Sequence, residues 1–369
     1  MNPSSNNIIR RFIPVLLLGL LLSAPSISIR GAADGLLLWF NIVLPTLSPF
    51  LICTQLVVAL DGVQLLTKPF YPLLHALFGL SMQGCYVLLC GLLCGYPLGA
   101  KLCADFSNRG EISAEEARYL LSICNHPSPM FLLGYVRSQL GMSVSPLLLL
   151  CALYLPVIPV SWMSRRLYRD KSRRFYFGKS RHPIDVQKKA RAPLSACSYS
   201  YNTNSILSAA VSVSHRENTA ATTPATTPLS LDTILLSTAE TMVVIGGYIM
   251  LFSILAAWIG QLTFLPVPIQ AILSGLAEIT TGVHRICTVF PAGKAVLPTV
   301  TAVSFGGCSG IFQTASVIRA ADRRSDTRDT GLLPHAKNAG LSIRHYAGWK
   351  AVHALFACVV LILILKFKG

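Results

Sequence analysis

An apolar run that ends in Gly91-Leu-Leu-Cys-Gly-Tyr-Pro-Leu-Gly-Ala-Lys101 limits what this chain can become more than any other stretch. Three glycines, a proline and a lysine stand where a helix would otherwise continue. Glycine costs backbone entropy in a helix, and proline removes an N–H and clashes with the preceding turn. In a bilayer no water takes up the freed backbone groups, so they must be paired within the protein or line a wet cavity. A broken apolar segment is therefore a candidate binding site. Composition puts the segment in a bilayer. Hydrophobic residues make up 53% of the 369 and charged residues only 12%, about half the ~25% usual in soluble domains.

Taken in order, Arg10 and Arg11 precede an apolar stretch at 12–22 that ends in Ser23-Ala24-Pro25. Further apolar segments downstream favour a retained first transmembrane helix over a cleaved signal peptide, with the N-terminus cytoplasmic. Residues 33–60 are too long for one straight crossing and suggest a surface-lying piece followed by a spanning piece. A short interfacial segment is expected at 70–80, and 85–100 carries the break. Ser113-Ala-Glu-Glu116 reads as a capping box that starts a helix toward Cys124. A second break, Ser122-Ile-Cys-Asn-His-Pro-Ser-Pro129, is followed by apolar segments at 130–140 and 145–163.

Residues 164–228 are polar and rich in Ser, Thr and Ala, and read as a linker unable to build a core. Between positions 165 and 191 the linker holds eleven Lys or Arg against Asp170 and Asp185. Flanking apolar segments make this a cytoplasmic loop attracted to anionic lipid rather than a nucleic-acid site. The second half has apolar segments at 231–259, 269–281 and 296–318, an arginine- and aspartate-rich loop to residue 344, and a last spanning helix at 349–365. The layout is an N-terminal transmembrane helix (1–30), a first membrane half (31–163), the basic linker (164–229) and a second membrane half (230–369).

Both halves present a long apolar opener, a glycine-flanked break, and a second break leading into an apolar helix. The first breaks are 91–99 and 275–282, and the second breaks begin at Ser122 and Ser304. They are separated by 31 residues in one half and 29 in the other. Corresponding Gly/Pro-interrupted segments in two halves point to a transporter site between inverted repeats. The expected fold is all-α: a polytopic membrane protein with two related, inverted halves and broken or re-entrant helices.

Half-helices that start at membrane depth aim unpaired N–H groups and a partial positive charge at whatever lies ahead. Four such starts would favour an anion or a polar planar ligand. The expected substrate-binding residues are Gly95, Tyr96, Gly99, Lys101, Asn125, Ser128, Glu278, Thr280, Ser304, Gly306, Gly307, Ser309 and Gln313. Thr314 adds a further hydroxyl nearby. Lys101 offers a positive charge, although snorkelling to the interface explains it equally well. Glu278, inside an apolar run, suits proton coupling or a polar substrate contact. Glu240 lies nearer a segment end and His126 between Asn125 and Pro127, where structural roles are the commoner reading.

The eleven cysteines form no C-x-x-C pair and lie mostly in apolar runs, as small apolar filler does. No G-x-S-x-G, H-E-x-x-H or Walker motif occurs, so neither an enzyme nor a nucleotide-driven pump is expected. No catalytic residue, metal site or cofactor is expected. The expected partners are a small anionic substrate, the lipid bilayer and a coupling ion (H+ or Na+), with homo-oligomerisation open and no nucleic acid.

These residues resemble the YlbJ (SpoVV) family of sporulation integral membrane proteins, whose members carry nucleoside-recognition, or Gate, domains. The resemblance rests on Asn41-Ile-Val-Leu-Pro-Thr-Leu-Ser-Pro-Phe50, Gly95-Tyr-Pro-Leu-Gly-Ala-Lys101, Arg109-Gly-Glu-Ile-Ser113, Cys124-Asn-His-Pro-Ser-Pro129, Gly275-Leu-Ala-Glu-Ile-Thr-Thr-Gly282 and Ser304-Phe-Gly-Gly-Cys-Ser-Gly310. It implies a transporter of dipicolinic acid across the outer forespore membrane, on a scaffold similar to concentrative nucleoside transporters. The alternative is a non-transporting scaffold or assembly factor for the spore cortex or envelope.

Overall fold

Helix boundaries in the computed structural model, which describes residues 3–142, 144–169, 230–326 and 341–368, fall at the breaks that the sequence marks. Every regular element among the described residues is helical. The first half runs through α1 (Pro3–Ser23), α2 (Pro25–Leu38), a π-helical turn (Trp39–Val43) and α3 (Leu44–Ala59). It continues through α4 (Val63–Thr67), α5 (Tyr71–Phe78), α6 (Met82–Cys94), α7 (Leu98–Asn108) and α8 (Ala114–Ile123). A second π-helical turn (Phe131–Val136), α9 (Arg137–Leu140), α10 (Pro146–Tyr154) and α11 (Val157–Arg169) complete it. The second half holds α12 (Leu231–Ile259), α13 (Val267–Ala277), α14 (Ile279–Val289), α15 (Ala292–Phe305), α16 (Gly307–Asp326) and α17 (Ile343–Lys368).

Five stretches among the described residues are long and apolar enough to cross a membrane, or six if α5 and α6, bent by 95°, count as one span. Large apolar side chains such as Leu37, Val243, Leu355 and Phe367 are exposed, as lipid-facing surfaces require. This is an integral membrane protein. Most of the basic linker and of the loop before α17 lies outside the described residues.

Two expectations are corrected. Residues Pro25–Ala59 form one continuous helical run of 35 residues rather than a surface piece and a span. The wide turn just before Pro45 absorbs the missing N–H without ending the helix. The capping box is half-made. Ser113 Oγ accepts from Glu116 N (3.1 Å), but Glu116 Oε1 accepts from Ser81 N (2.7 Å), tying α8 to the start of α6.

The halves share one order of parts. The opener is α2–α3 in one and α12 in the other. A broken hairpin follows, α6/α7 or α13/α14, and then a second broken run, α8 into the Phe131–Val136 turn or α15 into α16. The last spanning run is α10–α11 or α17. The two openers pack antiparallel, the relation that an inverted repeat produces. Ser28 Oγ accepts from Trp258 Nε1 (3.1 Å) at one end, and Gln55 bonds Thr238 Oγ1 (3.1 Å) and Ser237 Oγ (2.6 Å) at the other. Ser28, Gly31 and Gly35 form the buried face of α2, a small-residue stripe of the kind that lets membrane helices approach closely.

Each broken hairpin is closed by a pair of glycines. A Cβ on Gly99 would stand 1.9 Å from the Cys124 carbonyl oxygen and 3.1 Å from the Gly91 Cα. A Cβ on Gly282 would stand 2.1 Å from the Gly275 Cα. Backbone packs on backbone, so a side chain has nowhere to go. Gly99→Val should therefore destabilise the protein at or above the upper end of the ~1–3 kcal/mol range for overpacking. Gly247→Ala, with nothing within 4 Å of its Cβ, should hold stability or raise it by up to ~1 kcal/mol. Thermal unfolding of both purified variants in detergent checks the contrast.

Candidate functional site

All four breaks and both openers meet at one cavity. Its lining includes Val43, Thr46 and Leu47 from the first opener and Ile249 from the second. Cys94, Gly95 and Tyr96 come from the first break, Pro127, Ser128 and Phe131 from the second. Glu278, Ile279 and Thr280 come from the third, and Gly306, Gly310 and Gln313 from the fourth. The cavity measures about 50 Å³, room for roughly three to five waters at ~10–15 Å³ each.

Each break has a distinct local cause. α6 ends at Gly95 (φ 89°), and Tyr96-Pro97 is a cis peptide from which α7 starts. The Tyr96 N–H donates to the His126 carbonyl (2.9 Å), so the first two breaks support each other. Ser128 Oγ accepts from Phe131 N (3.1 Å) and caps the run beyond the second break. Tyr154 OH donates to the Pro127 carbonyl (2.7 Å), which the prolines leave without a helical partner. At the third break one extended residue, Glu278, separates α13 from α14. Its Oε2 accepts from Thr281 N (2.8 Å) and Thr280 Oγ1 (2.5 Å). The fourth break is the left-handed Gly306 (φ 85°), which ends α15 and lets α16 begin in a new direction.

Of the thirteen residues expected at a site, Gly95, Tyr96, Ser128, Glu278, Thr280, Gly306 and Gln313 line the cavity. The other six do not, for identifiable reasons. Gly99 belongs to the glycine contact that closes α6 on α7. Lys101 is turned along α7 to Asp105 (3.4 Å), a nearby carboxylate that satisfies its charge without the cavity. Asn125 is spent on structure: its Nδ2 donates to Thr314 Oγ1 (2.9 Å) and Tyr346 OH (2.8 Å), and its Oδ1 accepts from Ala100 N (3.4 Å). Ser304 Oγ bonds back to the Val300 carbonyl (2.6 Å). Gly307 packs against Ile279 and the Ala277 carbonyl. Ser309 Oγ accepts from Gln313 Nε2 (2.8 Å) and so orients a lining residue from one turn away. Glu278, with its carboxylate on the N-terminus of α14, fills with a protein anion one of the four positive helix starts that the sequence offered to a ligand.

Sequence reasoning missed the cationic side of the site. Lys350, on α17 and 2% exposed, reaches the Asn125 carbonyl (3.3 Å) and lies 5.8 Å from the centre of the Tyr96 ring. His353, one turn on, stacks on His126 with ring centres 4.4 Å apart. Both ring nitrogens of His353 face carbonyl oxygens, Leu153 O at 3.0 Å and Ser304 O at 3.4 Å. Lys350 and His353 sit in the plain-looking last spanning helix, where only their spacing of three residues on one face gave a signal.

A comparison with curated proteins finds the sporulation integral membrane protein YlbJ of Bacillus subtilis 27% identical over 323 aligned residues, covering 82% of this chain and 73% of the relative. That similarity, over most of the chain, supports the resemblance to the YlbJ family read from the sequence. No family model matches it. No solved structure matches it either. Five of the six YlbJ-type elements quoted from the sequence contribute to the cavity wall, with Gly95, Tyr96, Ser128, Glu278, Thr280 and Gly306 inside them, while Arg109–Ser113 does not reach it.

The Asn125 amide holds both halves together. Asn125→Ala leaves Thr314 and Tyr346 without that partner in a buried place, at a cost of ~1–3 kcal/mol. Combined with Tyr346→Phe, the losses should fall short of additive by at least ~0.5 kcal/mol. Melting of the two single variants and the double variant in detergent gives the coupling directly.

Proposed function

We propose that this chain is a sporulation membrane transporter that moves a small planar organic anion, with dipicolinate as the preferred substrate, across the outer forespore membrane. The observation that carries the reading is the convergence of four helix breaks, two from each half, on one cavity whose mostly apolar wall carries a few polar groups. Transporters of this build bind substrate between repeats at discontinuous helices. The YlbJ relative contributes the sporulation context through its name. Dipicolinate, a flat pyridine bearing two carboxylates, fits a wall that offers the hydroxyls of Ser128 and Thr280 and the amide of Gln313 among apolar surfaces.

The cavity is too small for that anion in the conformation described, so uptake requires the halves to move apart on one side. Glu278 adds a second requirement. A buried carboxylate in the wall repels an incoming dianion unless a cation accompanies it. A proton or sodium ion carried with the substrate supplies that charge, which makes Glu278 the candidate coupling residue.

Labelled dipicolinate should bind the detergent-purified protein saturably. Gln313→Leu, which removes a lining donor while keeping volume, should weaken that binding about tenfold, the scale of one lost hydrogen bond in a dry site. Equilibrium binding of the two proteins is the test. Absence of saturable binding by the unsubstituted protein would defeat the reading.

A further inference from the structure

Beside the cavity lies a group of hydrogen-bond donors that no role described so far employs. Lys350 is buried to 2% exposure, and among the described residues no carboxylate is bonded to it. An ammonium in that position is expensive in an apolar medium unless a counter-charge arrives. His126 is 1% exposed, and neither of its ring nitrogens has a hydrogen-bond partner. The hydroxyl of Tyr96 is also buried without a partner. Buried polar atoms almost always find partners, so three neighbouring side chains with unmet capacity mark a place where something else binds.

The place adjoins the cavity. Gly306 and Tyr96 both line the cavity, and a Cβ on Gly306 would stand 3.5 Å from Lys350 Cε and 3.9 Å from Tyr96 Cε1. The Tyr96 ring also covers Gly310, at 3.6 Å from the position of its Cβ. The phenol thus fills the space between the cavity and the lysine. Glycines at 306 and 310 leave the ring free of side-chain obstruction on that face.

We infer that Lys350, with the Tyr96 hydroxyl and the His126 ring, forms a carboxylate subsite of the substrate cavity, and that Tyr96 is the residue that must turn aside to open it. This deepens the transport reading and rests on it. Lys350 replaces Lys101 as the cation that meets the substrate, because Lys101 already has Asp105. The chemistry selected is a carboxylate on a flat ring: the ammonium neutralises it, the phenol and imidazole donate to it, and the ring lies in the cavity proper. Glu278 lines the same cavity as Tyr96.

The test compares dipicolinate with pyridine-2,6-dicarboxamide, a neutral ligand of the same shape, binding to the purified full-length protein. Lys350→Met should lower dipicolinate affinity tenfold or more and leave the diamide within about twofold, as expected for loss of a charge-assisted contact. Its melting temperature is recorded as a folding control, since Met removes a buried cation without a carboxylate partner and, with it, the donor to the Asn125 carbonyl. Lys350→Arg should retain most of the preference for the dianion. Should Lys350→Met not fold, Lys350→Gln, which still donates to the Asn125 carbonyl, carries the same expectation. Dipicolinate affinity within twofold of the unsubstituted protein in the neutral variants, or an equal loss for both ligands, overturns the inference while leaving the transport reading intact. If the unsubstituted protein binds neither ligand, both fall together.

Discussion

Helices broken inside a membrane must have their freed backbone groups paired by protein, and that constraint determines how this molecule is built. At the second break the Asn125 side chain answers to Ala100 of the first half and to Thr314 and Tyr346 of the second. The Asn125 carbonyl takes Lys350, and the next carbonyl, from His126, takes the Tyr96 N–H. Tyr135 OH reaches across to the Thr280 carbonyl (2.6 Å) at the third break. The first three breaks are thus held by groups from another break or from the opposite half. A single half would leave the Asn125 Nδ2, its backbone carbonyl and the Thr280 carbonyl without these partners, at a cost of several kcal/mol each in lipid (~1–3 even by protein measures). The two halves therefore stabilise one another through the same residues that surround the cavity.

This arrangement links stability to function. The cavity exists because four chain interruptions converge, and they can converge only where their polar groups satisfy one another. The halves meet through directed hydrogen bonds, a small-residue face along α2 and α12, and shared apolar clusters in which Phe131, Leu132 and Tyr135 pack with Ile279, Val283 and Ile286. Directed bonds at a few points can be exchanged for others when one half rocks against its partner. A cavity of about 50 Å³ gains volume in such a motion, and the Tyr96 ring is the side chain best placed to respond.

Much of this was legible in the sequence, and the limits are instructive. Breaks were readable because glycine and proline act locally: residues 95–97, 124–129, 278 and 306 interrupt helices where composition said they should. The pairing of halves was readable from the order of breaks. Distinguishing a lining glycine from a packing glycine was not. Gly95 and Gly99 lie in one motif, yet only the first reaches the cavity, because Gly99 falls one helical turn on, against Gly91 and the Cys124 carbonyl. Lys101 was conspicuous for its position beside the motif, and a carboxylate four residues away on the same helix face accounts for it. Lys350 was inconspicuous because a lone lysine near the start of an apolar helix looks like an interfacial anchor. Its burial is a property of the tertiary structure, set by Tyr96, Asn125 and Gly306 from three other segments.

The central claim is that the space between the two halves carries an organic anion through the membrane. Uptake of labelled dipicolinate into vesicles that contain only the purified protein tests it most directly, with and without an imposed proton or sodium gradient. Saturable accumulation that an ion gradient drives above equilibrium, and that unlabelled dipicolinate competes away, is the result this account predicts. Entry no faster than into protein-free vesicles under every gradient would contradict it and leave the molecule as a scaffold of the membrane.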